Sequence, residues 1–205
     1  MIVLQVLLWL ALIGLVIAGI VTAIIGARLR QPLLGLIGVL PLAVAVLFLV
    51  FGGQPQPPAP GFWSVAALGF AVLAVVGGSP LTVLVLNHAA PGAASELGEH
   101  GGILVAEKGA DKGTTKAAAT REVLRGGSTI GYLERFAIVG SIAIGHPEVI
   151  AALIAIKGLG RFSELDSAAA RERFIIGTLV SMIWAGTCGA LILLSVPGFI
   201  TWQVG

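Results

Sequence analysis

The segment GYLERFAIVGSIAIGHPEVIAALIAIKGLGRF, residues 131–162, is mostly apolar yet carries groups that could do chemistry. Titratable residues stand near its start, its centre and its end: Glu134, Arg135, His146, Glu148, Lys157 and Arg161. An ionisable group inside a membrane is costly and marks a functional-site hypothesis. A histidine and a carboxylate can bind an ion or relay a proton, whereas a carboxylate and an ammonium can neutralise each other.

A turn at Gly145–Pro147 is predicted to fold this segment into a helical hairpin. Glycine and proline are typical of turns, and proline suits the start of the returning helix. The fold-back places Glu134 beside Lys157, so Glu134 acts first as a structural clamp. We therefore predict a charge cluster at the base of the hairpin, with these members: Glu134, Arg135, Lys157 and Arg161.

Two placements of the hairpin tip stay open at this point. From Phe136 to Gly145 is about 15 Å of helix, or half of the hydrocarbon core. In a re-entrant hairpin, His146 and Glu148 lie near the midplane and, with Ser79, are the candidates for a path or an ion or proton site. If residues 129–135 are embedded as well, the arms just span the core and the tip is a turn at the outer surface.

Small residues recur every four positions along the last apolar run. Such a ladder lets another helix approach closely in lipid, where packing replaces hydrophobic exclusion. We predict a helix-packing seam, inside one protomer or between protomers of a homo-oligomer, at these positions: Gly177, Ser181, Ala185 and Gly189.

Long apolar runs must hold these groups in place. The chain has 205 residues, of which 57% are hydrophobic and 11% charged, against about 25% charged in a soluble domain. Several runs reach the ~20 residues that cross a bilayer core of about 30 Å. The runs are continuous, whereas the strands of a membrane barrel alternate. Composition therefore predicts an all-α integral membrane protein, one helical domain over residues 1–205, with the lipid bilayer as its first partner.

Four of these runs predict long transmembrane helices, in addition to the hairpin, which is either re-entrant or short-spanning. The third run contains GGSP at 77–80, where Ser79 is a candidate N-cap and Pro80 suits the first helical position. We therefore predict a break or kink there. A helix start at Ser79 would offer free amides to an anion, and a simple kink would not. The four runs are 2–27, 33–52, 62–87 and 174–198.

The Lys/Arg bias of the loops sets the predicted orientation. Arg28 and Arg30 place the first loop in the cytoplasm, so the uncharged proline connector at 54–61 is outside. The polar loop 88–126 and the segment 163–173 then lie inside, and both termini lie outside. In the loop, TTKAAATREVLRGG, residues 114–127, predicts a short surface helix stopped by Gly126.

Several classes of protein are excluded or disfavoured. The single cysteine, Cys188, rules out an internal disulfide or a multi-cysteine metal site. No basic stripe with interleaved aromatics points to nucleic acid. GxSxG, HExxH, P-loop and GxGxxG signatures are missing. We therefore predict no catalytic residues, no metal and no cofactor, and an enzyme is the less favoured class.

The runs RGGSTIGYLER, AIKGLGRFSEL and RFIIGTLVSMIWA resemble the C-terminal part of a group of small, uncharacterised bacterial multi-span membrane proteins. The resemblance covers about residues 125–186. It implies a bacterial cytoplasmic membrane and draws attention to Glu134, Arg135, Lys157, Arg161 and Gly177. It implies no activity.

Three functions are consistent with these patterns. The first is a small transporter or channel for an ion or small solute, with a path lined by the 131–161 hairpin and the broken third span. The alternative is a membrane interaction or assembly protein without transport. A lipid-modifying membrane enzyme comes third.

Overall fold

A computed structural model describes residues 2–50, 57–89, 103–106, 120–123, 127–161 and 168–194. Helices dominate these residues, with a short 3₁₀ helix, η1, and two short strands. In chain order the elements are α1 (Ile2–Leu29), η1 (Pro32–Gly38), α2 (Val39–Val50), α3 (Pro60–Ala89), β1 (Ile103–Ala106), β2 (Thr120–Val123), α4 (Gly127–Ala143), α5 (Val149–Arg161) and α6 (Ala168–Leu194).

Three helices are long and apolar enough to cross a membrane: Ile2–Leu29, Pro60–Ala89 and Arg171–Leu193. The second apolar run, predicted as a fourth long helix, is divided into η1 and α2. Pro32 begins η1, and the glycines that follow weaken helical continuity. The division also has a packing reason, because a Cβ on Gly35 would lie 2.7 Å from the ring of Pro80.

The divided segment runs back along α1, and α3 then follows the direction of α1. The residues that face one another give these directions. Near the end of α1, Gly26 faces Leu34, and further back Gly19 faces Gly38, where a Cβ on Gly19 would lie 3.1 Å from the Cα of Gly38. In α3 the residue numbers rise together with those of α1, since Gly69 meets Val16 and Leu73 meets Gly19. Helix α3 is therefore parallel to α1.

The third helix is continuous through GGSP, so the predicted break at residues 77–80 is wrong. Pro80 lies inside α3, and Ser79 is therefore an interior residue, not the N-cap of a new helix. No anion can bind free amides there. Proline inside a helix removes the N–H that would bond to the carbonyl four residues earlier, here that of Val76. The two carbonyls before it, of Ala74 and Val75, accept bonds from side chains of other helices, which pack α3 firmly in the turn before Pro80.

The hairpin turn lies at Gly145–Pro147, where the sequence places it. Gly145 has a φ of +78°, a conformation that glycine adopts without strain. The Gly145 N–H donates to the Ile142 carbonyl at 3.0 Å, and the His146 N–H donates to the Ser141 carbonyl at 2.8 Å. This is a Schellman motif, which satisfies the last carbonyls of α4 and reverses the chain. The first arm has 17 residues, about 25 Å.

Helix α6 runs opposite to α3 and in the same direction as α4. Its early residue Gly177 faces Thr82 and Leu86 late in α3, and its late residue Gly189 faces Ile142 late in α4. The buried core lies between α1, α3, α4 and α6, and its most deeply buried side chains include Val16, Leu73, Ile138 and Cys188.

The polar loop contains an antiparallel ribbon that pairs Ile103 with Val123 and Ala106 with Thr120. The surface helix predicted for residues 114–127 is therefore wrong at Thr120–Val123, which is a strand. Threonine and valine favour strands, and pairing with the apolar β1 decides between the two structures. Residues 107–119 lie outside the described part of the chain.

Candidate functional site

Arg135 is buried between three helices, with 3% of its surface exposed. Its Nε donates to the Val75 carbonyl at 2.7 Å, its Nη1 to Ser181 Oγ at 3.0 Å and its Nη2 to Ser79 Oγ at 2.7 Å. The guanidinium also lies 5.2 Å from the ring centre of Tyr132, within cation–π range. One charged group from α4 thus joins α3 to α6 through neutral partners.

The GGS of Gly77–Ser79 explains why these bonds can form. A helical side chain covers the turn before its own Cα, so two glycines and a serine leave the carbonyls of Leu73–Val75 uncovered. The Trp184 indole N–H lies 3.3 Å from the Leu73 carbonyl and 3.1 Å from the Ala74 carbonyl. Arg135 takes the third, Val75. Three successive carbonyls of α3 therefore accept bonds from other helices.

The same glycines make room for the side chains that bind there. A Cβ on Gly77 would lie 2.6 Å from Cζ2 of Trp184. A Cβ on Gly78 would lie 2.6 Å from Cδ of Arg135 and 3.1 Å from Cδ1 of Trp184. Real Cβ atoms do not approach so closely, and these buried side chains have little room to move. Glycine is thus required at both positions by packing.

Glu134 points away from Arg135, toward the second arm of the hairpin. It accepts a hydrogen bond from Lys157 Nζ, and the two side chains are 13% and 17% exposed. Lys157 Nζ also lies 5.8 Å from the ring centre of Phe174 on α6. The contact of Glu134 with Lys157 is the one that the fold-back predicts. Arg135 takes no part in it, so the predicted cluster is two sites, and the side chain of Arg161 lies outside the described residues.

Together these groups form a polar layer, which we call the arginine layer: Ser79, Tyr132, Glu134, Arg135, Lys157 and Ser181. Arg135 lies midway along α4, about 12 Å from either end. The layer holds one carboxylate and two cations. Since Lys157 neutralises Glu134, the charge of Arg135 is left without a carboxylate in hydrogen-bond contact among the described residues.

The hairpin tip is a separate and much more open place. His146 Nδ1 lies 2.7 Å from Glu148 Oε1, and the side chains are 62% and 68% exposed. The hydrogen bond with His146 lowers the pKa of Glu148. Ser79 lies apart from this pair, because it bonds to Arg135 and about 12 Å of α4 separates Arg135 from the last helical residue before the tip. That the three residues line one path stays a prediction.

The small-residue ladder of α6 packs inside the chain. Ser181 and Ala185 are buried, with 6% and 0% of their surfaces exposed. Gly177 makes ordinary contact with α3, and a Cβ on Gly189 would lie 2.8 Å from Ile142 of α4. The small-residue seam therefore lies between helices of one protomer, which is one of the two arrangements that the sequence predicts.

Sequence reasoning missed Trp184 and Tyr132, and it did not connect Ser79 and Ser181 with Arg135. The usable signal was the serine in each small-residue pattern, because a hydroxyl among glycines or alanines can bond across helices. No comparable pattern in the sequence indicates that Trp184 packs against the backbone of α3 at Leu73 and Ala74.

Comparison with family models, curated proteins and solved structures gave no match. The resemblance of residues 125–186 to small bacterial membrane proteins stays a prediction. Function is therefore inferred from the chemistry of the site itself.

Proposed function

We propose that this chain is a small membrane transporter or channel for an ion or small solute, with its path along the interface of α3, α4 and α6. One observation carries the proposal: Arg135 is 3% exposed, sits midway along α4 and bonds to neutral groups from two other helices. Charged residues at such depth are rare, face the interior of a helix bundle and mark substrate or ion pathways.

The path differs from the one predicted by sequence. It uses the first arm of the hairpin and a continuous third helix, whose carbonyls are uncovered at Leu73–Val75. These carbonyls bond to Arg135 and Trp184, so the polar groups left for a solute are the remaining guanidinium N–H groups and the hydroxyls of Ser79 and Ser181. The exposed tip pair of His146 and Glu148 is then a surface feature at one mouth of the path.

The helix directions support a fourth crossing. The η1–α2 segment has 7 and 12 residues, which reach about 30 Å at the rises of 3₁₀ and α helices. It runs back along α1 and lets α3 start at the same end as α1. The hairpin, at about 25 Å, then nearly spans and brings its tip to that same end.

The helix directions also place the polar, Lys/Arg-containing connections at one end of the bundle, opposite the hairpin tip. Arg28 lies in the last turn of α1, Ala89 ends α3, and α4 and α6 begin there at Gly127 and Ala168. By the positive-inside rule this end faces the cytoplasm of a bacterial cell membrane, with the polar loop 88–126, and both termini face outward.

Cysteine labelling in intact cells tests this orientation, in a Cys188→Ala background. We expect a membrane-impermeant maleimide to label His146→Cys and to leave Ala168→Cys unlabelled until the cells are opened. The reverse pattern would contradict the orientation, and labelling of both would contradict the hairpin.

Flux measurements test the function. Proteoliposomes that contain the purified chain should carry at least one member of a panel of small cations, anions and protons faster than empty liposomes. Arg135→Gln should reduce that flux about tenfold or more, since a charge-assisted contact contributes about 1.5–3 kcal/mol. Ser141→Ala is the matched control, because this buried serine of α4 bonds only to its own helix at Ile138. Flux equal to that of empty liposomes across the panel would contradict the proposal.

A second candidate function, a membrane interaction or assembly protein, is favoured by the outer face of α5. That helix lies against α4, and its other sides expose Ile154, Ile156 and Leu159 by 48%, 68% and 78%. Such a face suits lipid or a neighbouring apolar helix. Cross-linking through Ile156→Cys in native membranes would favour this function if it captured a second chain while flux was absent.

A further inference from the structure

We infer that the arginine layer binds a small monovalent anion, of a size between a halide and nitrate or formate. The inference names the substrate class for the path proposed above and rests on that proposal for its physiological meaning. It is carried by charge, by unused hydrogen-bond donors and by space, each of which is a separate observation.

The charge of the layer is the first observation. Glu134 bonds to Lys157 and makes no hydrogen bond with Arg135 among the described residues. The guanidinium is held by a carbonyl, two hydroxyls and the face of Tyr132, none of which carries a negative charge. A buried charge is costly unless an opposite charge compensates it. One bound monovalent anion would compensate the charge of Arg135.

The two serine hydroxyls are the second observation. Five other hydroxyls in the described residues donate to a carbonyl of their own helix: those of Thr22, Ser64, Thr82, Ser141 and Thr187. Ser79 and Ser181 instead accept from Arg135. A hydroxyl can accept and donate at once, and neither serine has an acceptor for its own hydrogen among the described residues. The carbonyl one turn before Ser79, Val75, is taken by Arg135.

The donors lie on three helices, since Ser79 is on α3, Arg135 on α4 and Ser181 on α6. A guanidinium has five N–H groups, and three of them are used by Val75, Ser79 and Ser181. Among the described residues, the remaining N–H groups and the two serine O–H groups are donors without a matching acceptor. An anion is the partner that accepts from several donors at one point.

Space limits the size of the ligand. Gly131 lies one turn before Arg135, and a Cβ on it would meet Nη1 at 3.4 Å. The missing side chain therefore leaves room beside the guanidinium for an atom of about Cβ size in ordinary contact. With Arg135 itself 3% exposed, a large organic anion such as gluconate does not fit.

Thermal unfolding of the purified chain, followed by tryptophan fluorescence, tests the site. Chloride, nitrate and formate are titrated as sodium salts, with sodium gluconate used to hold the ionic strength constant. We expect the melting temperature to rise by about 5 °C when the small anion reaches about one hundred times its Kd. An unchanged melting temperature for all three anions would overturn the inference.

Variants locate the effect. Ser79→Ala combined with Ser181→Ala removes the two hydroxyl donors and should raise the anion Kd about tenfold or more, while Ser141→Ala should leave it unchanged. A double variant with the wild-type Kd would overturn the inference. Arg135→Gln should abolish the shift, and the serine variants decide the matter if that variant does not fold.

Flux in the same preparations separates the two proposals. Anion-dependent stabilisation without any flux would leave the site in place and contradict the transporter. Flux of a cation or neutral solute without anion-dependent stabilisation would support the transporter and contradict the anion site.

Discussion

The hairpin contains two hydrogen-bonded side-chain pairs that differ almost completely in setting. Glu134 and Lys157 are 23 residues apart in sequence, lie on separate helices and are 13% and 17% exposed. His146 and Glu148 are two residues apart, in one turn, and are 62% and 68% exposed. Side-chain type and pairing are therefore poor guides to importance. The pair at the base differs from the pair at the tip in that its side chains are mostly buried and join two helices.

The physical reason is the dielectric around each pair. A charge that loses its partner in a poorly solvated place keeps its desolvation cost, whereas an exposed charge is solvated and screened by salt. The base also lies beside Arg135, so its packing and its charges are coupled. Changes at the base should affect the whole bundle, and equivalent changes at the tip should be local.

The largest expected effect is at Gly78, where glycine makes room for the arginine layer. Gly78→Leu should destabilise the chain by about 3 kcal/mol, because its Cβ would meet Arg135 and Trp184. Gly140→Leu is the matched control, since nothing lies within 4 Å of a Cβ at that position. Thermal unfolding in detergent measures both. Equal losses in the two variants would mean that the layer is not tightly packed.

Breaking the base pair should have the next largest effect. Glu134→Gln should cost about 2 kcal/mol, somewhat less than for a fully buried pair, because Lys157 is left without its carboxylate. The double variant Glu134→Gln with Lys157→Met should cost less than the single variant. A double-mutant cycle in thermal stability checks this, and purely additive losses would argue against the contact.

The same chemical change at the tip should have no measurable effect on stability. Glu148→Gln removes a carboxylate that is 68% exposed, so the neighbouring His146 stays solvated. The variant should unfold at the temperature of the wild type. A loss similar to that of Glu134→Gln would show that a second chain or another segment covers the tip.

The smallest effect is a local titration at the tip. His146 lowers the pKa of Glu148, so His146→Ala should return that pKa toward the ordinary glutamate range. Carboxyl NMR of a labelled sample measures the shift. Because the folded-state pKa is lowered, any stabilisation is present above the ordinary glutamate pKa and is lost as the pH falls through the folded value. An unchanged pKa in the variant would mean that the hydrogen bond does not persist.

The candidate site could be predicted only in part. The Glu134–Lys157 contact followed from the position of the turn, because a hairpin pairs residues at equal distances from its centre. The role of Arg135 did not follow, since adjacent helical residues point in different directions and the sequence does not say which direction is buried. Ser79 was misread because GGSP matches the start of a helix as well as an interior groove.

The sequence by itself determined the helical class with long apolar helices, the turn at Gly145–Pro147 and the periodic seam of α6. These depend on composition, on local backbone preference and on spacing along one helix, which are properties of neighbouring residues. Tertiary structure alone decided that α3 continues through Pro80 and that Arg135 joins Ser79 to Ser181. Both depend on groups from distant segments, which supply hydrogen bonds and close packing that local sequence cannot specify.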